Sequence, residues 1–142
     1  MSRRMSCSMT VPAVRARTKT VTRRHVDTWK NLQVGDRLTL IEKGMGLPKG
    51  ARQVVLAEVE IVAVRVEELG AIFTDLKDED RWAGGRTACF YEGLPDMHEA
   101  EFVRFWLDSH GYRHLTVHAG CTVFVRRIEW RYLDGQEGRP WT

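Results

Sequence analysis

The chain has 142 residues, of which 43% are hydrophobic and 29% charged. That suits one compact domain with a core of its own, leaves little room for a second domain, and argues against disorder. No run of eighteen apolar residues occurs, so a membrane-spanning helix is excluded, and three cysteines without a CxxC pair give neither a disulfide framework nor a zinc ribbon.

The opening "MSRRMSCSMT" starts basic but has no apolar stretch behind it, so it does not read as a secretory signal. Residues 1–7 read as a flexible basic leader, with "CSMTV" as a candidate first strand. Pro12 interrupts there, and "AVRAR" suits a helical turn or a loop. "KTVTRR" alternates and is rich in β-branched residues, which favours extended backbone. Gly35-Asp36 is a turn signal ahead of a strand from about Arg37 to Lys43. "GMGLPKG" is a loop by its Gly and Pro content.

"QVVLAEVEIVAVRVEEL" predicts a long strand over Gln53 to Val66, bent or bulged because fourteen residues exceed the usual strand. "ELGAIFTDL" suits one or two helical turns. "KDEDRWAGGRTACFYEG" is a polar, Gly-containing crossing of the kind that carries functional residues. In "PDMHEAEFVRFWLDSHG", Asp96 as N-cap with Glu99 three residues on predicts a capped helix. Phe102, Val103, Trp106 and Leu107 form its apolar stripe, and Gly111 is its stop. "CTVFVRRIEWRYL" alternates as a strand whose apolar phase shifts once, at Arg126-Arg127, predicting a bulge there. Residues 134–142 read as a loose tail. Strands and helices do not alternate regularly, so the expectation is an α+β fold: a small, mostly antiparallel barrel or curved sheet with helices plugging an end.

Charge is unevenly placed. Residues 1–30 hold eight Lys/Arg against one acid, and the rest hold fourteen against eighteen. A basic front edge on a slightly acidic body suits an anionic partner, or simply a solvated basic arm. The segment "ARTKTVTRRH" concentrates the pattern, with five basic residues and three threonines in ten positions.

Taken in order, "KTVTRR", "LQVGDRLTL", the Val-rich strand, "EGLPDMHEAEFVRFW" and a closing strand ending "IEW" resemble the ASCH domain family of the PUA-like superfamily. The resemblance spans about Ser8 to Leu133 and sets the domain at residues 8–133. It implies a PUA-like β-barrel with one main helix and one or two short helices around a cleft. It also implies recognition of RNA or of a modified nucleobase or nucleoside. At least one bacterial relative is an amidohydrolase acting on N4-acetylcytidine through a lysine, a threonine and a glutamate. By motif these fall on Lys19, Thr22 and Glu92. The loops "EKGMGLPKG" and "KDEDRWAGGRTACFY" have no clear counterpart in that enzyme.

On this resemblance Arg17, Arg23 and Arg24 become candidate ligand-binding residues, and Trp82 and Tyr91 candidate stacking partners for a base. Each has a plainer alternative: a phosphate-binding surface lysine, a strand-forming threonine, a turn glutamate, core or lid aromatics. One structural demand follows for the catalytic alternative. Residues i and i+3 of a strand point to opposite faces, so the chain must turn between Lys19 and Thr22 for both to meet one ligand. Two functions then compete: a binding module for RNA or a modified nucleoside, and an amidohydrolase on an N4-acylated cytidine-like nucleoside. Ribonuclease activity is the third and weakest.

No Gly-rich phosphate loop, HExxH or GxSxG is present, so neither a metal nor another cofactor is expected. His110, His114 and His118 recur every fourth residue, but Gly111 breaks the helix that would align them. Reduced cysteines point to the cytoplasm.

Overall fold

The computed structural model describes residues 3–44, 46–74, 88–117 and 123–134. Met5 and Cys7, two residues apart, both turn inward and are buried. That period of two makes Arg3–Ser6 a strand, β1, where a frayed leader was expected. Arg3 lies over the Trp29 ring at 4.4 Å, and Arg4 donates to Gln53 at 2.7 Å, so the long basic side chains anchor the strand. Pro12 then sits in the first turn of helix α1 (Val11–Arg15), where its missing N–H costs nothing. "CSMTV" is therefore a loop leading into a helix.

Strands β2 (Val21–His25), β3 (Arg37–Ile41), β4 (Val55–Glu68) and β5 (Phe124–Tyr132) complete one five-stranded sheet in the order β1-β3-β4-β5-β2. β1 runs parallel to β3, and the other three pairings are antiparallel. A six-residue 3-10 helix (Leu69–Thr74), helix α2 (Ala88–Glu92) and the main helix α3 (Glu99–Ser109) accompany the sheet. The fold is α+β: a curled half-barrel with a few short helices. No helix among the described residues is long and apolar enough to cross a membrane.

Two details correct the sequence expectation. β4 is irregular as expected, its register slipping against β5 between Ile61 and Ala63 and against β3 at Leu40/Ile41, but the bulge expected at Arg126-Arg127 is absent. The phase change in β5 has another cause. Val125 packs on the main-helix side, while Ile128, Trp130 and Tyr132 pack inside the curl. Both faces of β5 are covered, and the cover changes sides along the strand. The second correction is the cap of α3. His98, not Asp96, is the N-cap: its Nδ1 accepts from Ala100 N at 3.2 Å, and the Glu101 carboxylate accepts from His98 N at 3.2 Å. Two overlapping x-x-Glu patterns compete here, and the turn from Leu94 to Met97 hands the helix to the later one. Gly111 follows the helix at φ 85, as expected of a C-terminal stop.

Candidate active site at the seam of the half-barrel

β1 and β2 are the two edges of the sheet, and its curl brings them together. Arg24 closes the gap, its Nη2 donating to the Ser6 carbonyl at 2.7 Å. A cavity of about 250 Å³ opens at this seam. The loop after β1 (Cys7 to Thr10), the segment from Lys19 to Arg24, Glu92, and one face of α3 line it.

The chain turns just ahead of Lys19 rather than between Lys19 and Thr22, and both residues line the cavity. Arg17 takes φ 62, and Thr18 N and Lys19 N both donate to the Ala13 carbonyl, at 2.9 and 3.2 Å. The chain coils off α1, so Lys19 precedes β2 rather than lying in it. The Lys19 carbonyl is clamped by Trp130 Nε1 at 3.1 Å and by the Tyr132 hydroxyl. The core aromatics of β5 thus fix the backbone that presents the amine.

Lys19 is only 3% exposed. Its Nζ donates to the backbone carbonyl of Glu92 and lies 5.9 Å from the centre of the Trp130 ring. Burial pushes its pKa down. Glu92 and Cys7 pull it back up, and the Arg24 and Arg23 charges lower it further. Burial likewise pushes the Cys7 thiol up, against the pull of Lys19 and Arg24. Both shifts favour uncharged groups in the cavity.

Gly93 makes the Lys19 contact with Glu92 possible. It follows α2 at φ 92, and a Cβ there would fall 2.9 Å from Thr10 Cβ and 3.0 Å from Lys19 Cδ. Only glycine fits the turn and the close approach together.

Glu92 itself serves Arg23. Its Oε1 accepts from Arg23 N and its Oε2 from Arg23 Nη1, both at 2.8 Å, and Arg23 Nε lies 3.7 Å from Glu67 Oε2. The Arg23 side chain is wholly buried, its fork turned to carboxylates. Arg24 Nε donates to Thr22 Oγ1 at 3.1 Å. Lys19, Thr22, Arg23, Arg24 and Glu92 therefore share one cavity wall. Arg17 is elsewhere, paired with Asp134 at 2.8 Å and stacked over Tyr132. Tyr91 is buried in α2, edge-on to Phe90, with its carbonyl accepting from Thr20 N, and it does not line the cavity. Trp82, His118 and Cys121 lie outside the described residues.

No family model and no curated protein matches the chain. Among solved structures it is similar to protein EF3133 from Enterococcus faecalis V583, described by the family model DUF984. The TM-score is 0.55 at 13% identity, over 94% of this chain and 80% of that one. The likeness is one of fold.

The rest of the cavity lining comes from residues that motif reasoning did not single out as site residues. Phe102, Phe105, Trp106 and His110 present an aromatic face of α3. His110 stacks on Trp106 at 3.8 Å, with ring planes 9° apart, and its Nδ1 lies 2.7 Å from the Trp106 carbonyl. Trp106 Nε1 donates to the Arg23 carbonyl at 3.0 Å, tying the aromatic wall to the polar one. The signal was present as the helical stripe, which reads equally as plain core. Cys7, Ser8, Met9 and Thr10 were likewise missed, because they belong to a loop.

Proposed function

We propose that the seam cavity binds a free modified nucleobase or nucleoside and hydrolyses an N-acyl amide on it, in a PUA-like domain of the ASCH type. The observation that carries this reading is Lys19: a buried amine with its pKa lowered, lining one cavity with Thr22 and with the rings of Phe102, Phe105, Trp106 and His110. A cavity lined by aromatic rings together with polar groups suits a flat heterocycle. A volume of about 250 Å³ suits a small ligand better than a strand of RNA.

In this reading the uncharged Lys19 amine takes the proton of Thr22, or of a water beside it, as the oxygen attacks the acyl carbonyl. Arg24 Nε, already donating to Thr22 Oγ1, eases the loss of the hydroxyl proton to Lys19. Lys19 then returns the proton to the leaving exocyclic amine. When Thr22 itself attacks, water completes the hydrolysis by releasing the acyl group from the threonine oxygen. Glu92 is a positioning residue: its carbonyl holds the amine and its carboxylate holds Arg23.

Recognition of RNA through phosphates is less well supported. The basic segment that suggested it is largely engaged within the protein. Arg17 meets Asp134 and Arg23 meets Glu92, Arg24 is held by Ser6 and Thr22, and Arg126 donates to the Val26 and Thr28 carbonyls.

The test is release of acetate from N4-acetylcytidine, followed by mass spectrometry, for wild type and Lys19→Met. Release by wild type alone is the expected result. No release at high enzyme concentration overturns this substrate. Titration with a short RNA at two salt concentrations then decides for the binding reading, whose affinity falls with salt in proportion to phosphate contacts.

A further inference from the structure

Thr10 lines the seam cavity and is 7% exposed. Its backbone is fully used: its N–H donates to the Cys7 carbonyl at 3.0 Å, and its carbonyl accepts from Val14 N at 3.1 Å. Its hydroxyl is not. Thr10 stands just before α1, where a threonine ordinarily bonds the N–H of the second or third helical residue. The second is Pro12, which has no N–H, and the side chain makes no capping bond. No other group among the described residues bonds the hydroxyl, and it is not one of the side-chain atoms sealed from solvent. A nearly buried threonine whose unbonded hydroxyl still reaches solvent can bond whatever enters beside it.

Its surroundings give the hydroxyl a direction. Thr10 Cβ and Cγ2 crowd Gly93, lying 2.9 and 3.0 Å from where a Cβ on that glycine would stand. Lys19 Cδ lies 3.0 Å from the same point. With the methyl held against Gly93, the hydroxyl is the substituent left to face the cavity, beside the Lys19 stem.

We propose that Thr10 is a specificity-determining residue of the seam cavity, its hydroxyl completing its hydrogen bonding on a polar group of the bound ligand next to Lys19. This rests on the nucleoside reading above and narrows it. A hydroxyl both donates and accepts, so it matches the carbonyl or the N–H of an exocyclic amide. The cavity then prefers a heteroaromatic amide to an apolar ring of the same size.

The experiment measures affinity for N4-acetylcytidine and for cytidine in wild type, Thr10→Val and Thr10→Ser. Binding is followed by tryptophan fluorescence in a rapid-mixing cell, ahead of any turnover, and the Tm of each protein is recorded. Valine keeps the shape and deletes the hydroxyl, while serine keeps the hydroxyl. The expected result for Thr10→Val is binding of N4-acetylcytidine weakened about tenfold, with a Tm no lower than wild type. Thr10→Ser stays within about threefold of wild type, since it retains the group. If wild type binds and Thr10→Val binds equally well, the role of Thr10 is overturned while the cavity reading stands. If Thr10→Val loses Tm and binding together and Thr10→Ser rescues neither, the residue is structural and the proposal fails. If wild type binds neither nucleoside, the cavity reading and this proposal fall together.

Discussion

The inside of the curl and its seam are built by opposite rules. Inside, Met5, Leu38, Leu40, Val59, Ile61, Ile128 and Trp130 form a dry cluster, and Trp130 sends its N–H to the Lys19 carbonyl. At the seam, Thr10, Lys19, Thr22, Arg23 and Glu92 are buried just as deeply and are polar or charged. Burying such groups is expensive, and an apolar replacement of a buried ion pair is often neutral or stabilising. The same chain shows, a few ångströms away, that it can pack an apolar core. The polar seam is thus better explained by what it does than by what it stabilises.

The contrast can be broken hardest at Glu92. Glu92→Ala removes the carboxylate that Arg23 holds at 2.8 Å, and the arginine stays buried. The expected loss is about 3–5 kcal/mol in urea unfolding, with turnover abolished. Leu38→Ala in the dry cluster costs about 3 kcal/mol. The folded fraction should keep its ligand affinity, which equilibrium binding at low temperature checks. If Leu38→Ala weakens binding as much as Glu92→Ala, the two regions are not separate.

Gly93→Ala comes next. Its φ of 92 strains any side chain, and the new Cβ meets Thr10 Cβ, a branched carbon with no free end to swing away. We expect a loss of about 2 kcal/mol by thermal or urea unfolding. Binding should fall further than that instability explains, because Lys19 must move.

Lys19 sharpens the comparison through pH. Unfolded, it titrates at its ordinary 10.5, whereas burial lowers the folded value. Between the two the unfolded chain binds more protons, so the Lys19 contribution to stability rises with pH up to 10.5. Cys7 works in the other sense. Its folded pKa is raised above 9.0, so its contribution is whole below pH 9.0 and is lost as pH climbs through the raised value. Cys7 is present in both wild type and Lys19→Met, so their difference reports Lys19. Urea unfolding of the two proteins from pH 7 to pH 10 should show wild type gaining on the variant as pH rises toward 10.5. Parallel behaviour across that whole range would mean an ordinary lysine.

Much of this was legible in the sequence, and the reasons differ by region. β3, β4 and α3 could be read because their apolar periods match their elements. The site trio came from motif resemblance, and its members line one cavity although the chain turns at Arg17, ahead of Lys19, and not between Lys19 and Thr22. Arg17 could not have been placed from its type, because only the fold brings Asp134 beside it. β1 was missed because two arginines outweighed the Met5/Cys7 alternation. The bulge expected in β5 and not found there shows the limit of single-strand pattern: covering β5 on alternate faces looks the same as a slip in register. The Glu92–Arg23 pair was out of reach as well, since it joins residues 69 apart across the seam.

The smallest expected effect separates the two regions most finely. Thr20 is 2% exposed, and its Oγ1 is sealed without a hydrogen-bond partner. It is a neighbour of Lys19 in sequence but does not line the cavity. Thr20→Val deletes that idle hydroxyl at nearly constant shape, so stability should rise by about 1 kcal/mol. Nothing at Thr20 faces a ligand, so affinity should not change. Thr10 carries the same group, also unbonded within the protein, but its hydroxyl is not sealed and the residue lies on the cavity wall. If valine stabilises at Thr20 without changing affinity and weakens binding at Thr10, the two hydroxyls are idle for different reasons. The one at Thr20 is a packing residue of the fold, and the one at Thr10 is held open for the ligand. If Thr20→Val weakens binding equally, the polar seam extends behind the wall and the dry cluster begins deeper than the cavity suggests.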